Sequence, residues 1–228
     1  LTGLHQHVGN WPGKTVERKE GSFTIHGREY GIVDLPGTYS LTANSPEEII
    51  TREFILREQP DLVLAVVNAA SLERSLYLVA ELISLSTPLA IILNMMDVAK
   101  QEGVTIEPEV LEAALGVPVI PMTATRSTGM QVLFQTVQGI LNGRRTATTP
   151  RLPEIRADHR AILDEISDHI RGYVPAPYPE NWIALKLLEG DTEITHLMQH
   201  NLPTEKWNVI YSHLRQHDDA LLAIASGR

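Results

Sequence analysis

Residues 88–97 read Pro-Leu-Ala-Ile-Ile-Leu-Asn-Met-Met-Asp, an apolar run that breaks into the polar pattern N-x-x-D. A run this short, bounded by proline on one side and polar residues on the other, predicts a β-strand buried on both faces. Two further runs have the same character: Asp61 to Asn68 (DLVLAVVN) and Val117 to Met122 (VPVIPM). Helical patterns separate them. Ser45-Pro46-Glu47-Glu48 combines a capping residue, a first-turn proline and first-turn acids, and starts a helix to about Arg57. Ser71 to Leu85, Pro108 to Leu115 and Gly129 to Leu141 complete the alternation, which predicts an α/β fold with a mostly parallel sheet flanked by helices. Upstream, Ser22 to His26 and Glu29 to Asp34 read as two strands around Gly27.

The run Leu76 to Leu93 is the nearest approach to a membrane span, but Glu81, Ser84, Ser86 and Thr87-Pro88 interrupt it. A helix ending before Pro88 and a strand after it account for it better, so this segment is expected to be soluble. The character of the chain changes near residue 143. Asn142-Gly143-Arg144-Arg145, followed by Thr146 to Pro150, reads as a linker. Beyond it only helical periodicity is found, in Ile155 to Ile170, Asn181 to Glu189 and Trp207 to Leu222. The expected organisation is an α/β domain over 1–142, a linker over 143–150 and a small all-helical subdomain over 151–228.

The 228 residues carry a formal charge of −9 and no cysteine. The acidic balance argues against nucleic acid as a partner, and the lack of cysteine removes disulfides, thiolate metal sites and cysteine nucleophiles.

Ligands of open α/β sheets sit beyond the carboxyl ends of the strands. Asn94 and Asp97 lie there. A carboxylate at Asp97 accepts two hydrogen bonds from guanine, at N1–H and the exocyclic amine. Adenine offers neither and would leave the carboxylate unpaired. Asn94 would tie the neighbouring loops together. Read alone, the same residues also describe a capped helix start at Asp97. Asp34-x-x-Gly37 follows another strand, where an aspartate holds Mg²⁺ through water and a glycine N–H approaches a γ-phosphate. Ala124-Thr125-Arg126 follows the last strand, its backbone N–H groups placed for guanine O6. The three features occur in order, each after its own predicted strand. Gly13-Lys14-Thr15 imitates the end of a phosphate-binding loop, but position 8 is Val8 rather than glycine and no buried strand precedes it. His5 with His7, and His196, His200 and His213, offer no complete ligand set and are read as solvated or helical-face residues.

At this point a resemblance becomes specific. Val8-Gly9-Asn10-Trp11-Pro12-Gly13-Lys14-Thr15-Val16-Glu17 resembles the switch I segment of the ferrous iron transport protein B family. Asp34-Leu35-Pro36-Gly37-Thr38-Tyr39-Ser40-Leu41, Asn68-Ala69-Ala70-Ser71-Leu72-Glu73-Arg74 and Asn94-Met95-Met96-Asp97 are similar to other segments of that family. The likeness covers roughly residues 1 to 142, and the tail resembles the family's helical domain around Leu188-Glu189-Gly190-Asp191. It implies a sheet of the P-loop-GTPase kind, GTP and GDP as ligands, Mg²⁺, and a regulatory switch for Fe(II) uptake. The partner implied is a membrane permease in the same protein, with this segment on the cytoplasmic face of a bacterial inner membrane; homo-oligomerisation stays open. It further implies Thr15 as the switch I threonine that reaches Mg²⁺, with Asp34 and Gly37 as the switch II box. Thr38 stands where other GTPases carry a water-positioning glutamine. Asn94 and Asp97 would read guanine, and Ala124, Thr125 and Arg126 would complete the base pocket. Carbonyls at Asn10 and Trp11 are implied for an activating K⁺. The family's first strand and phosphate loop are expected immediately before Leu1. The chain is therefore expected to be an internal piece of a longer product, weak in nucleotide binding and negligible in hydrolysis as it stands. The alternatives are a non-hydrolysing interaction module and a soluble GTPase of ribosome or tRNA maturation.

Overall fold

The computed structural model describes residues 6–11, 16–25, 27–42, 45–143 and 157–225. Three antiparallel strands come first: β1 (Gln6–Asn10), β2 (Glu17–Ile25) and β3 (Arg28–Asp34), in the order β1-β2-β3. Gly27 turns the β2–β3 hairpin at φ +79°, a left-handed conformation that glycine adopts without penalty. In register across it, Phe23 stacks on Tyr30 at 5.6 Å. The sequence predicts β2 only from Ser22; its charged first half, Glu17 to Gly21, is a strand because β1 pairs with it. Among the described residues β1 pairs on one side only, and its sequence Gln-His-Val-Gly-Asn shows no apolar alternation to read as a strand.

Helix α1 (Pro46–Glu58) starts as its residues predict: the Ser45 hydroxyl accepts from the Glu48 N–H at 3.2 Å, with Pro46 and two acids in the first turn. A second sheet follows, all parallel, in the order β4 (Val63–Asn68), β5 (Leu89–Asn94), β6 (Val119–Pro121). Its connections are α2 (Leu72–Ser84), then α3 (Met96–Gln101) and α4 (Pro108–Leu115), and α5 (Met130–Leu141) comes last. β5 is buried from Leu89 to Leu93. Ala90, Ile92, Ile120 and Met122 pack with Leu133 and Val137 of α5. One expectation is corrected here. β4 reads as buried on both faces, yet Val66 is 65% exposed while Ala65 and Val67, which point to the opposite face, are buried, so among the described residues one face of β4 is uncovered.

The chain divides into two compact units, 1–152 and 153–228. In the second, α6 (Ala157–Ile170), α7 (Glu180–Leu188), α8 (Thr192–Asn201) and α9 (Thr204–Ala225) enclose Ile166, Ile170, Trp182, Leu187, Ile194, Met198, Trp207 and Ile210. Helix α8 is absent from the sequence prediction. Gly190 at φ +74° breaks the preceding helix, and the Asp191 carboxylate then accepts from the Ile194 N–H at 3.0 Å to start the next. Lys186 is fully buried and places its ammonium 2.6 Å from Glu189. No helix among the described residues is long and apolar enough to cross a membrane.

Candidate functional site

The parallel register sets Asn68 beside Asn94 at the carboxyl ends of β4 and β5, with Pro121 of β6 beside Leu93. Each asparagine organises the loop that leaves the sheet. The Asn68 side chain accepts from Ala70 N–H at 2.9 Å and starts a single 3₁₀ turn, Ala69–Ser71. The Asn94 side chain reaches across to β6 and accepts from Ala124 N–H at 3.1 Å. Met95 takes a left-handed conformation, φ +62°, and Met96 N–H donates to Met122 C=O at 3.2 Å. Those two features turn the chain sharply and set Asp97 in the first turn of α3.

One Asp97 oxygen accepts from Val98 N–H at 3.1 Å, and the other lies 3.6 Å from the Arg126 guanidinium. Arg126 closes a 3₁₀ turn, Ala124–Arg126, inside a loop whose two ends are clasped. Thr123 and Thr128 exchange backbone hydrogen bonds at 3.2 Å in both directions. Gly129 follows at φ +88°, so close to the end of β6 that a Cβ would lie 2.4 Å from Pro121 C=O. Asn94, Asp97 and Ala124 to Arg126, separate in sequence, thus form one group at the mouth of β5 and β6.

The D-x-x-G segment belongs to the other sheet. Asp34 is exposed at the end of β3. Pro36 C=O accepts from the Thr51 hydroxyl at 3.3 Å. The Thr38 hydroxyl is turned onto its own loop, donating to Ser40 C=O at 2.5 Å and accepting from Ser40 N–H at 3.2 Å. Tyr39 lies under the Arg74 guanidinium at 3.9 Å. Trp11 is buried edge-on to Phe54 at 5.5 Å, with the Arg18 guanidinium 4.9 Å above the indole; its amide donates to Val16 C=O. Asn10 ends β1. Thr15 lies outside the described residues.

Sequence reading assigned no role to Glu81, Arg52 or Gly129. The signal for Glu81 was present as a lone acid inside an otherwise apolar helix, where it read as an interruption. Arg52 and Gly129 gave no comparable signal, since their partners are distant in sequence or lie on the backbone.

An α/β unit with an N-x-x-D loop and a clasped small-residue loop at adjacent strand ends, joined to an all-helical unit, is the architecture of a G domain with a helical companion. A family model described as ferrous iron transport protein B matches residues 1–137, and one described as the FeoB cytosolic helical domain matches residues 157–228. The chain is 40% identical over 204 residues to a Fe(2+) transport protein A/Fe(2+) transporter FeoB fusion protein of Porphyromonas gingivalis, covering 86% of this chain and 24% of that protein. It is 39% identical over 198 residues to the Fe(2+) transporter FeoB of Escherichia coli strain K12, covering 84% and 25%. Among solved structures, a GDP-bound point mutant of S. thermophilus NFeoB superposes with a TM-score of 0.82 at 34% identity, over 97% of this chain and 83% of that one. The cytosolic domain of L. pneumophila FeoB gives 0.77 at 30%, over 99% and 91%. The chain belongs to the ferrous iron transport protein B family and comprises its N-terminal G domain and helical domain. It spans about a quarter of the length of the curated relatives it matches.

Proposed function

We propose that the first unit is a guanine-nucleotide switch that binds GTP and GDP, hydrolyses GTP, and governs Fe(II) passage through a membrane permease of the same protein. The observation that carries the reading is the Asn94 bridge to Ala124 N–H with the Asp97 carboxylate beside it. The bridge holds the two base-reading loops in one frame. In that frame Asp97 would accept the guanine N1–H and amine; Ala124 N–H is given to Asn94 and Arg126 N–H to Thr123 C=O, so we assign O6 to Thr125 N–H. The GDP found in the S. thermophilus relative supports the same ligand here.

Phosphate binding needs more than these groups. Among the described residues β3 and β4 each have a single strand partner, and Val66 of β4 is exposed. We assign the outer edge of β4 to a further strand carrying the phosphate loop, whose backbone N–H groups and lysine would hold the phosphates. Asp34 is a hard oxygen donor in the exposed setting that suits Mg²⁺, an ion that keeps several waters and takes one or two carboxylates beside phosphate oxygens. Asp34 and Thr15 would hold it, and the ion would neutralise charge on the phosphates. Gly37 offers its N–H to the γ-phosphate. Thr38, with its hydroxyl committed to Ser40, leaves the attacking water poorly oriented, which fits slow hydrolysis. For K⁺ we assign the Asn10 and Trp11 carbonyls. In this reading residues 1–142 form the G domain and 143–150 the linker, with 151–228 as a helical domain that relays the switch at the cytoplasmic face of the membrane.

The test is a change of base specificity. Asp97→Asn replaces an acceptor by an amide that donates to the O2 of xanthine. In the full-length protein it should weaken GDP by roughly a hundredfold and make XDP the preferred ligand. Unchanged GDP affinity in that variant would remove Asp97 from the base site.

A further inference from the structure

Beyond the D-x-x-G box the chain is gripped at one residue by two opposite charges. Leu41 N–H donates to the Glu81 carboxylate of α2 at 2.6 Å, and Leu41 C=O accepts from the Arg52 guanidinium of α1 at 3.5 Å. The second Glu81 oxygen lies 3.5 Å from the Thr42 hydroxyl. All three parts are inside the protein: Leu41 is 0% exposed, Arg52 1% and Glu81 2%. Upstream the holds are weaker in kind. Thr51 reaches Pro36 C=O through a neutral hydroxyl bond, and Tyr39 is an exposed ring beneath Arg74. Between them, the Thr38 hydroxyl bonds within its own loop.

Hydrogen bonds to buried charges are stronger than neutral ones, and leaving such a charge without its partner is costly. The two ends of this segment are therefore unequal. We infer that Leu41 is the fixed pivot of switch II: nucleotide-dependent rearrangement runs through residues 37–40 and stops at Leu41, where Glu81 and Arg52 bolt the backbone to α2 and α1. Glu81 is a positioning residue, touching neither nucleotide nor metal. It makes α2 the element against which switch II moves. The inference rests on the guanine-nucleotide reading and narrows it, because a switch free along the whole D-x-x-G loop would carry Leu41 with it.

The test is amide-resolved hydrogen exchange on the full-length protein, with GDP and with a non-hydrolysable GTP analogue. In the unaltered protein, exchange at residues 37–40 should differ between the two nucleotides, while Leu41, whose N–H is held by Glu81, stays equally protected. In Glu81→Gln the Leu41 amide should exchange roughly threefold to tenfold faster, the difference between a charged and a neutral acceptor for its N–H. The nucleotide-dependent difference should then extend past Leu41. GTP turnover should change while GDP affinity stays within about twofold, a split that general unfolding would not produce. If Glu81→Gln fails to fold, the unaltered protein decides. Leu41 responding to nucleotide as strongly as Thr38 to Ser40 overturns the pivot and leaves the nucleotide reading standing. Protection of Leu41 that survives Glu81→Gln also overturns it. Absence of nucleotide binding altogether removes both.

Discussion

On the proposed reading the Asp97 carboxylate serves guanine only if its distance from the 124–126 loop is held, and two residues hold it. Asn94 ties the loops together by one side-chain bond, and Gly129 lets the second loop press against β6. The glycine is under the tighter constraint. At φ +88° an alanine incurs the left-handed penalty, and its Cβ would lie 2.4 Å from a backbone oxygen and 2.8 Å from Met122 Cγ. Gly129→Ala should therefore cost roughly 2–3 kcal/mol, measurable by thermal unfolding, and weaken GDP binding more than an equally destabilising change in the second unit. Equal GDP affinity in the two variants would show that the clasp does not position the base loop. Asn94 and Asp97 were legible in the sequence because an N-x-x-D after an apolar strand has a chemical reading of its own. Gly129 was not, because its partners are backbone and side-chain atoms that only the folded chain brings near.

Elements with local signals were the readable ones. The start of α1 is specified by Ser45, Pro46, Glu47 and Glu48 within four residues of one another, and the cap bond forms as those types require. Ser45→Ala should cost about 1 kcal/mol of stability, read from urea unfolding of the first-unit transition, with an unchanged midpoint contradicting the cap. β5 was legible for a different reason: a strand covered on both faces is apolar throughout. β1 and the first half of β2 escaped because their order comes from pairing with each other rather than from burial. α8 escaped because one glycine and one aspartate had to be read as a stop and a start together. The Glu81 bolt belongs to this scale as well, since it joins two helices to a loop and no single segment contains it.

For the molecule as a whole, the alternation of strands and helices gave the α/β class, and the change near residue 143 gave a helical second part. The division into two three-stranded sheets was not legible, since strand runs do not carry their neighbours' names. The single pairing of β4 among the described residues is the consequence that matters, because it leaves the backbone edge on which the phosphate-binding strand is proposed to lie. Guanine-nucleotide binding itself is read by titrating the full-length protein with fluorescent GDP, competed by GTP and by ATP. GTP should displace the probe, and ATP should compete roughly a thousandfold less well, since adenine leaves the Asp97 carboxylate without its two donors. Displacement by ATP as readily as by GTP, or no binding of the probe, would contradict the account.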